Sequence, residues 1–357
     1  MSRIVLSGYY GFNNLGDEAV LGATVDALRA RCPGVEIAVL SADPRSTAGA
    51  YGVEGIPRAR PGDLLRSLRR CDLCLSGGGS LFQDVTSWRS PWYYLGVLAL
   101  AQRFGRRTAL YAQGIGPLRG RAVRSATRRV LNGVDLITLR DPASLAALAE
   151  LGVDRPPVAL AADPALLLEP DPSTHVAAEV TRWGGGTPFG LAVRAWDTDA
   201  WLATVAAAAR TVAERRGARW ICVPMHPPGD VAVAARVAEM IGGGATVVEA
   251  ALRPREMLAL FGRLAVVVGM RLHALMFAAI QGVPLVSLAY DPKVAAFAHE
   301  LGEPVLDPAT LEAGALVEVI ERAADTLAAG RARLLAAVAP LRARAAIAPQ
   351  LVARLVS

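Results

Sequence analysis

An arginine and a histidine stand close together in the segment Gly269-Met-Arg-Leu-His273. They follow the apolar run Leu264–Val268, which is typical of a buried strand, and they open a helical pattern. A helix N-terminus binds anions, because its first backbone N–H groups are unpaired and the positive end of its dipole lies there. Arg271 can offer a fork of donors to a phosphate or carboxylate, and His273 can transfer a proton near neutral pH. A structural histidine is the alternative, but the neighbouring arginine favours chemistry.

Lys293 is the only lysine in a chain whose lysine and arginine residues total 38. It stands directly after the next predicted strand, Leu285–Ser287, in the segment Tyr290-Asp-Pro-Lys. Arginine serves as the cation everywhere else, so a lone lysine suggests a place that requires a compact ammonium able to change its protonation state. Composition alone leaves a chance surface lysine equally open. The position at a strand end favours a functional role for Lys293.

Arg140 ends another apolar run, Leu136–Leu139. Ligands of parallel α/β sheets bind beyond the carboxyl ends of the strands, so an arginine at this place can bind a phosphate or carboxylate. A surface ion pair is the alternative for Arg140. His226 follows the predicted strand Arg219–Val223 and is either a binding residue or a histidine of a structured loop.

Three turns in the first half of the chain combine glycine with polar residues directly after predicted strands. They lie at residues 8–18, 76–84 and 113–117. Glycine allows close approach of the backbone to a ligand, and polar side chains here can cap a helix or bind a substrate. Helix capping alone explains the first turn, whereas two glycine turns after neighbouring strands favour a ligand site. The candidate residues are Asn14, Asp17, Gly78, Gly79, Asp84 and Gln113.

The elements that position these residues alternate between β-rich apolar runs and helical patterns, which predicts parallel sheets built from βαβ units. The predicted strands of the first half are Arg3–Ser7, Val35–Ser41, Asp72–Ser76, Thr108–Gln113, Leu136–Leu139 and Val158–Ala161. Those of the second half are Phe189–Arg194, Arg219–Val223, Thr246–Glu249, Leu264–Val268 and Leu285–Ser287. The polar, proline-containing stretch Glu169–His175 separates the two halves and resembles a linker.

We therefore expect an α/β protein with two Rossmann-like domains that face each other across a cleft. The expected boundaries are residues 1–168 for the N-terminal domain, 169–187 for the linker and 188–310 for the C-terminal domain, with C-terminal helices at 311–357. These last helices are rich in alanine, leucine and arginine. We favour their packing on a domain over lying on an anionic membrane, since Pro340 and Pro349 interrupt the amphipathic pattern.

The composition excludes several classes of protein. A net charge of +6 suggests anionic partners, but the arginines are spread along the chain and no nucleic-acid-binding motif occurs. Cys71 and Cys74 form a CxxC pattern without a second ligand pair, and we interpret them as core thiols rather than a zinc or redox site. No P-loop follows the glycines, no apolar run is long enough to span a membrane, and no signal peptide is evident. We expect a cytoplasmic protein, and contact with the inner face of the cell membrane stays open.

The motifs together resemble a known family. GYYGFNNLGDE, GGGSLFQD, QGIGP, the pair Arg140-Asp141, ADPA, GMRLHALMFA and YDPK stand in the order found in polysaccharide pyruvyl transferases of the CsaB type, from residue 8 to residue 293. The resemblance implies a GT-B-like fold, phosphoenolpyruvate as the donor, and no metal or other cofactor. It also implies that the acceptor is N-acetylmannosamine in a lipid-linked cell-wall polymer precursor, whose pyruvate ketal anchors S-layer proteins. Whether the chain forms a homo-oligomer is left open.

The resemblance also implies roles for individual residues. Arg140, Arg271 and Lys293 map onto the residues that bind phosphoenolpyruvate, and His273 and Lys293 onto the catalytic ones. The residue types fit, because phosphoenolpyruvate carries a phosphate and a carboxylate, and ketal formation needs a general acid for its methylene carbon and a base for the sugar hydroxyls. We expect His273 to be the acid, with Lys293 second. The glycine-turn candidates and His226 are assigned to acceptor binding or support.

Two alternatives remain at this stage. A nucleotide-sugar-dependent glycosyltransferase can have the same two-domain architecture, because a fold does not determine a function. A binding or sensor protein that has lost turnover is the other. Stabilisation of the fold by phosphoenolpyruvate, or by a nucleotide sugar, distinguishes these possibilities.

Overall fold

The computed structural model describes residues 2–85, 87–197 and 199–356. They form two compact units. The first unit extends to Leu168 and includes the chain again from Leu341 onwards, and the second extends from Glu169 to Pro340.

The first unit contains, within the described residues, an eight-stranded parallel sheet with the order β3-β2-β1-β4-β6-β7-β8, and β5 pairs with β6. Its strands are β1 (Arg3–Ser7), β2 (Glu36–Ser41), β3 (Glu54–Pro57), β4 (Leu73–Ser76), β5 (Gly79–Phe82), β6 (Arg107–Ile115), β7 (Leu136–Leu139) and β8 (Val158–Leu160). Its first six helices are α1 (Leu15–Arg31), α2 (Pro44–Tyr51), α3 (Pro61–Arg70), α4 (Ser90–Arg103), α5 (Arg121–Leu131) and α6 (Pro142–Glu150).

The second unit contains, in the described part of the chain, a six-stranded parallel sheet with the order β11-β10-β9-β12-β13-β14. Its strands are β9 (Thr187–Ala192), β10 (Ala218–Cys222), β11 (Ala245–Val247), β12 (Val266–Gly269), β13 (Leu285–Leu288) and β14 (Val305–Leu306). Its helices are α7 (Thr174–Arg182), α8 (Ala200–Arg216), α9 (Gly229–Ile241), α10 (Pro254–Phe261), α11 (Leu272–Gln281), α12 (Pro292–Glu300) and α13 (Ala313–Asp325). Helix α14 (Leu327–Ala345) begins in the second unit and ends in the first, and α15 (Ile347–Val356) belongs to the first unit. Counted within the unit, the strand order is 3-2-1-4-5-6, which is that of the Rossmann fold.

Hydrophobic residues on both faces of the strands explain why the sheets are parallel and buried. In β1, Ile4 and Leu6 pack into one core cluster, and Val5 packs into another. Helices cover both faces of such a sheet, so its strands are apolar almost throughout rather than alternately apolar and polar. Cys74 lies in β4, and both Cys71 and Cys74 are fully buried. Burial raises the pKa of the Cys71 thiol to about 11, and the interpretation as core thiols is confirmed.

The structure differs from the sequence-based expectation at the boundaries of the second half. Residues 169–187, expected as a linker, contain helix α7 of the second unit. The C-terminal helices are divided between the units: α13 packs in the second unit, whereas α15 buries Ala348 and Val352 in the core of the first. The packing of α13 and α15 in these cores is the arrangement that the sequence favoured.

Two strands of the first unit were not predicted. Strand β3 has the sequence EGIP, whose glycine and proline are unfavourable in a central strand, and it lies at an edge of the sheet, where both are tolerated. Strand β5 begins at Gly79 inside the expected glycine turn, and its register against β6 is shifted. Among the described residues, no helix is long and apolar enough to cross a membrane.

Candidate functional site

The candidate residues of the second unit gather where its strand order reverses. Strands β9 and β12 are neighbours, and Ala192 pairs with Gly269 at their carboxyl ends. Arg194 and Arg271 each follow their paired residue by two positions, so both leave the same edge of the sheet. In open α/β sheets this switch point is where ligands bind.

Arg271 is held by a buried carboxylate. Its Nε donates to Asp230 Oδ2 at 2.9 Å, and its Nη2 donates to Asp230 Oδ1, so the pair is bidentate. The Asp230 side chain is 2% exposed and that of Arg271 is 20% exposed. Within the described residues the Nη1 group of Arg271 has no partner. The guanidinium is therefore fixed through its Nε and Nη2 groups, and its remaining donors are free for a ligand.

Asp230 also shapes the loop that contains His226. Its carboxylate accepts hydrogen bonds from the backbone N–H groups of Met225, at 3.2 Å, and His226, at 3.0 Å. Asp230 lies in the first turn of α9, where a carboxylate is favoured by the helix dipole. His226 is thus joined to the site by its backbone. No role was expected for Asp230 from the sequence.

His273 and Lys293 lie on the two helices that follow the neighbouring strands β12 and β13. His273 is partly buried in the first turn of α11, whose N-cap is Arg271. Lys293 is exposed in the first turn of α12, and its Nζ lies 3.2 Å from Asp291 Oδ2. The lone lysine therefore sits beside a carboxylate that also caps its helix by accepting from the Lys293 backbone N–H at 3.0 Å.

Arg194 is a further cation of this edge that the sequence analysis missed. Its Nη1 donates to the hydroxyl of Tyr290 at 3.0 Å, and its guanidinium carbon lies 5.0 Å from the centroid of that ring. Within the described part of the chain Arg194 forms no ion pair. The sequence does contain the feature that identifies it, because Arg194 comes after strand β9 as Arg140 comes after β7. A search for cations at the carboxyl ends of the strands finds both residues.

In the first unit, Arg140 is buried among acceptors. Its Nη1 donates to Asp163 Oδ2 at 3.1 Å, its Nη2 donates to Ser80 Oγ at 2.7 Å, and its Nε lies 3.4 Å from Asp141 Oδ2. The side chains of Arg140 and Asp163 are 6% and 2% exposed. Asp163, which belongs to the ADPA motif, also caps a short 3-10 helix by accepting from the Ala165 backbone N–H. The charge of Arg140 is compensated inside the unit.

The glycine turns of the first unit meet around Gln113 and Gly79. The Gln113 amide group donates to the carbonyl of Gly79 at 2.7 Å and is fully buried. Gly79 has φ of +104°, and a side chain there would lie 3.2 Å from Asp17 Oδ1. A side chain at Gly78 would approach Val20 to 2.9 Å. The structure thus brings Asp17, Gly78, Gly79 and Gln113 together, and glycine is required at the two turn positions.

Asn14 and Asp84 have structural hydrogen bonds. Asn14 is the N-cap of α1 and accepts from the Gly16 backbone N–H at 3.1 Å. Asp84 accepts from the backbone N–H groups of Arg119 and Gly120, each at 2.9 Å, just before α5. Partial burial acts in the opposite direction, but these hydrogen bonds from Gly120 and Arg119 lower the pKa of Asp84. Asp84 therefore anchors the loop after β6.

No group of three or more histidine, cysteine, aspartate or glutamate side chains suited to hold a metal ion occurs within residues 2–85, 87–197 and 199–356. Three of the cations described above, Arg140, Arg271 and Lys293, are instead each paired with at least one aspartate. The arrangement of the second unit suits an anionic ligand, since it offers partly free guanidinium donors beside a helix N-terminus.

Comparison with known proteins identifies a family for this chain. The profile of the polysaccharide pyruvyl transferase family matches residues 14–292. No curated protein matches the sequence significantly.

Solved structures share the fold at low identity. A UDP-N-acetylglucosamine 2-epimerase described as putative, from Listeria monocytogenes, has a TM-score of 0.71 at 13% identity, covering 97% of this chain and 94% of that one. A glycosyltransferase from Rickettsia africae has a TM-score of 0.65 at 11% identity, with 99% and 98% covered. HepE from Anabaena in complex with UDP-glucose has a TM-score of 0.64 at 11% identity, with 99% of each chain covered. The fold class expected from the sequence, two parallel-sheet α/β domains of the GT-B type, is confirmed.

Proposed function

The chain belongs to the polysaccharide pyruvyl transferase family, and from this premise we propose that it transfers the enolpyruvyl unit of phosphoenolpyruvate to a sugar as a ketal, with no further cofactor. The proposed acceptor is N-acetylmannosamine in a lipid-linked cell-wall precursor, and the product serves to anchor S-layer proteins. Such a precursor would be met in the cytoplasm, at the inner face of the membrane. The observation that carries the donor assignment is Arg271, fixed bidentately by Asp230 at the N-terminus of α11 with donors left free.

The donor carries a phosphate and a carboxylate, and the edge of the second unit offers groups for both. Arg271 and the N-terminus of α11 bind one anionic group. Arg194, which has no carboxylate partner in the described residues, is suited to the second. Lys293 adds a positive charge that Asp291 partly compensates. Arg194 is thus a donor-binding candidate in addition to those expected from the sequence.

The reaction adds a proton to the methylene carbon of phosphoenolpyruvate, which gives an oxocarbenium-like centre at the neighbouring carbon. One sugar hydroxyl bonds to that carbon, the carbon–oxygen bond to phosphate breaks, and the second hydroxyl closes the ketal. Two hydroxyl protons are released, which balances the proton added to carbon and the one taken up by phosphate. His273, in the first turn of α11, serves as the general acid, with Lys293 second.

The residues of the first unit are assigned to acceptor binding or to its support. Direct binding of phosphoenolpyruvate by Arg140 stays a prediction, and its three buried contacts favour a positioning role. Through Ser80, Arg140 fixes strand β5, whose first residue Gly79 adjoins Asp17. Asp17 is the acceptor-side carboxylate in this proposal, whereas Asn14, Asp84 and Gln113 hold the turns around it.

The test combines binding and turnover. Phosphoenolpyruvate should raise the melting temperature of the whole chain, and UDP-N-acetylglucosamine should not. Mass spectrometry of N-acetylmannosamine-containing acceptors incubated with phosphoenolpyruvate should then show a pyruvate ketal. Stabilisation by the nucleotide sugar alone, with sugar transfer in place of pyruvylation, would instead support the glycosyltransferase alternative.

Lys293→Arg tests the role of the lone lysine. If Lys293 only neutralises the donor, we expect a loss of about tenfold in turnover, near 1.4 kcal/mol. If it also transfers a proton, the loss should reach about a hundredfold, since a guanidinium does not deprotonate near neutral pH. Arg263→Lys, an exchange at an exposed position of the second unit, is the control. Wild-type turnover of folded Lys293→Arg would make this lysine an ordinary surface residue.

A further inference from the structure

An arginine enclosed by aromatic rings lies at the carboxyl edge of the first unit, outside the residues discussed so far. We call Tyr9, Phe12, Arg58, Tyr93 and Tyr94 the aromatic–arginine cluster. Tyr9 and Phe12 belong to the turn between β1 and α1, Arg58 directly follows β3, and the two tyrosines lie in α4. The turn after β1 is at the switch point of this sheet, because β1 separates β2 from β4.

The guanidinium of Arg58 is in contact with three rings. Its central carbon lies 4.2 Å from the centroid of Tyr93, 5.0 Å from that of Phe12 and 5.6 Å from that of Tyr94. These distances are those of cation–π contacts. Tyr9 stacks on Phe12 with ring centroids 4.2 Å apart and extends the aromatic surface. Burial raises the pKa of Tyr94 to about 12, and the positive charge of Arg58 beside it only partly opposes this.

The charge of Arg58 has no carboxylate partner among the described residues, unlike those of Arg140 and Arg271. Its Nη1 is buried and makes no hydrogen bond there. The hydroxyl of Tyr93 accepts part of the hydrogen-bonding capacity of the guanidinium, and Nη1 is the part left over. A guanidinium with an unused Nη1 group and no carboxylate partner among the described residues is suited to bind a phosphate or carboxylate.

The surroundings of Arg58 suit a sugar next to that anion. Tyr9 and Phe12 are both partly exposed, and stacked rings of this kind pack against the C–H face of a pyranose. The Asp17 carboxylate is near: burial and then Asp17 raise the pKa of Tyr9. Asp17 can accept hydrogen bonds from sugar hydroxyls. Tyr10 supplies the rigid base of the turn, since it is fully buried and its ring lies where side chains at Gly8 and Gly77 would otherwise stand.

We propose that the aromatic–arginine cluster binds a phosphorylated saccharide, with the phosphate at Arg58 and the sugar face on Tyr9 and Phe12. This inference rests on the proposed function, because it makes the first unit the place where the glycosyl phosphate part of the acceptor is recognised. The phosphate of a lipid-linked acceptor and that of a soluble sugar phosphate share this chemistry.

The experiment is calorimetric titration of the whole chain, without phosphoenolpyruvate, using N-acetylglucosamine 1-phosphate as the probe. Arg58→Gln should weaken binding by about tenfold or more, because a charged hydrogen-bonding partner of the phosphate is removed. The matched control is Arg69→Gln. Arg69 also stacks on a ring, Phe104, at 5.0 Å, but at the other end of α3. Its removal should leave the affinity unchanged.

Further arms separate the parts of the proposal. Phe12→Leu should weaken the sugar phosphate and leave binding of inorganic phosphate, if any, unaltered. Arg58→Lys keeps the charge and the ring contacts but loses the fork, and we expect reduced affinity at an unchanged melting temperature. This variant decides the matter if Arg58→Gln does not fold. Unchanged affinity in the folded Arg58 variants, or inorganic phosphate binding as tightly as the sugar phosphate, would overturn the assignment.

Two more arms identify the ligand. Phosphoenolpyruvate should not compete for the site, and competition would make it a donor site instead. The wild type and Arg58→Gln should not differ in their binding to phosphatidylglycerol vesicles. If the wild type binds the vesicles and Arg58→Gln does not, the arginine recognises a lipid headgroup instead. Because binding is measured without turnover, sugar phosphate binding by a protein that makes no ketal would refute the proposed function and leave this inference standing.

Discussion

Arg140 in the first unit and Arg271 in the second are similar residues in similar places with different surroundings. Arg140 directly follows β7, Arg271 follows β12 after one intervening residue, and each binds an aspartate whose side chain is 2% exposed. Arg140 is itself only 6% exposed and has further contacts with Ser80 and Asp141, whereas Arg271 is 20% exposed and keeps its Nη1 without a partner in the described residues. We expect the donors left after internal pairing to distinguish a structural cation from a ligand-binding one.

The first test of this comparison is Asp163→Asn, for which we expect the largest effect. It removes the charged partner of Arg140 in surroundings closed to water, and a broken buried ion pair typically costs about 3–5 kcal/mol. The free energy of unfolding, from urea titration followed by circular dichroism, should fall by that amount.

The matched control for Asp163→Asn is Asp199→Asn. Asp199 pairs with Arg236 at 2.6 Å, but the two side chains are 66% and 51% exposed. Exposed pairs contribute about 1 kcal/mol or less, so this variant should be nearly as stable as the wild type. Equal losses in the two variants would mean that burial of the Arg140 pair does not determine its contribution.

The second test is Asp230→Asn, which applies the same chemistry to the second unit. Arg271 can turn toward solvent, so we expect a smaller loss of stability than for Asp163→Asn. Turnover with phosphoenolpyruvate should nevertheless fall by about a hundredfold, near 2.7 kcal/mol, because misplacing a substrate-binding group by about 1 Å has effects of this size. The measurements are steady-state pyruvyl transfer and urea unfolding of the same preparation.

Asp291→Asn is the control for this second test. Asp291 also pairs with a cation of the same edge, Lys293, but both side chains are partly exposed. Its loss should change turnover far less. A variant Asp230→Asn that unfolds readily yet turns over normally when folded would reverse the comparison, since the pair in the second unit would then be the structural one.

Much of the fold could be predicted from the sequence because its strands are buried on both faces. Runs such as Arg3–Ser7 and Leu136–Leu139 agree with the structure at both ends. Strand β3 could not be found in this way, since EGIP has no apolar run, and only its pairing with β2 at the sheet edge makes it a strand. Arg58 was missed for the same reason: without β3, no strand end identified it.

The partners of the candidate residues could not be read from the sequence. Arg140 and Asp163 are 23 positions apart, and Arg271 and Asp230 are 41 apart. Pairing over such separations depends on which strands become neighbours, and strand order is a property of the whole sheet. The positions of the arginines were therefore predictable, whereas the number of donors that each one keeps for a ligand was not.

The smallest expected effect concerns Asp84, whose carboxylate stabilises a turn of the first unit by accepting from the backbone N–H groups of Arg119 and Gly120. Despite the opposing effect of burial, these bonds lower the pKa of Asp84 in the folded protein. A lowered folded-state pKa means that the stabilisation is fully present above the unfolded-state value of about 3.9, and that it is lost as pH falls through the folded-state value. Asp84→Asn should therefore be less stable than the wild type at about pH 7, and the difference should shrink toward about pH 3.

Urea midpoints at both pH values provide the measurement for Asp84→Asn. The surface control is Asp63→Asn, which changes a carboxylate that contacts the exposed Arg66. If the difference for Asp84→Asn stayed constant or grew on acidification, the backbone hydrogen bonds would not be what holds the turn.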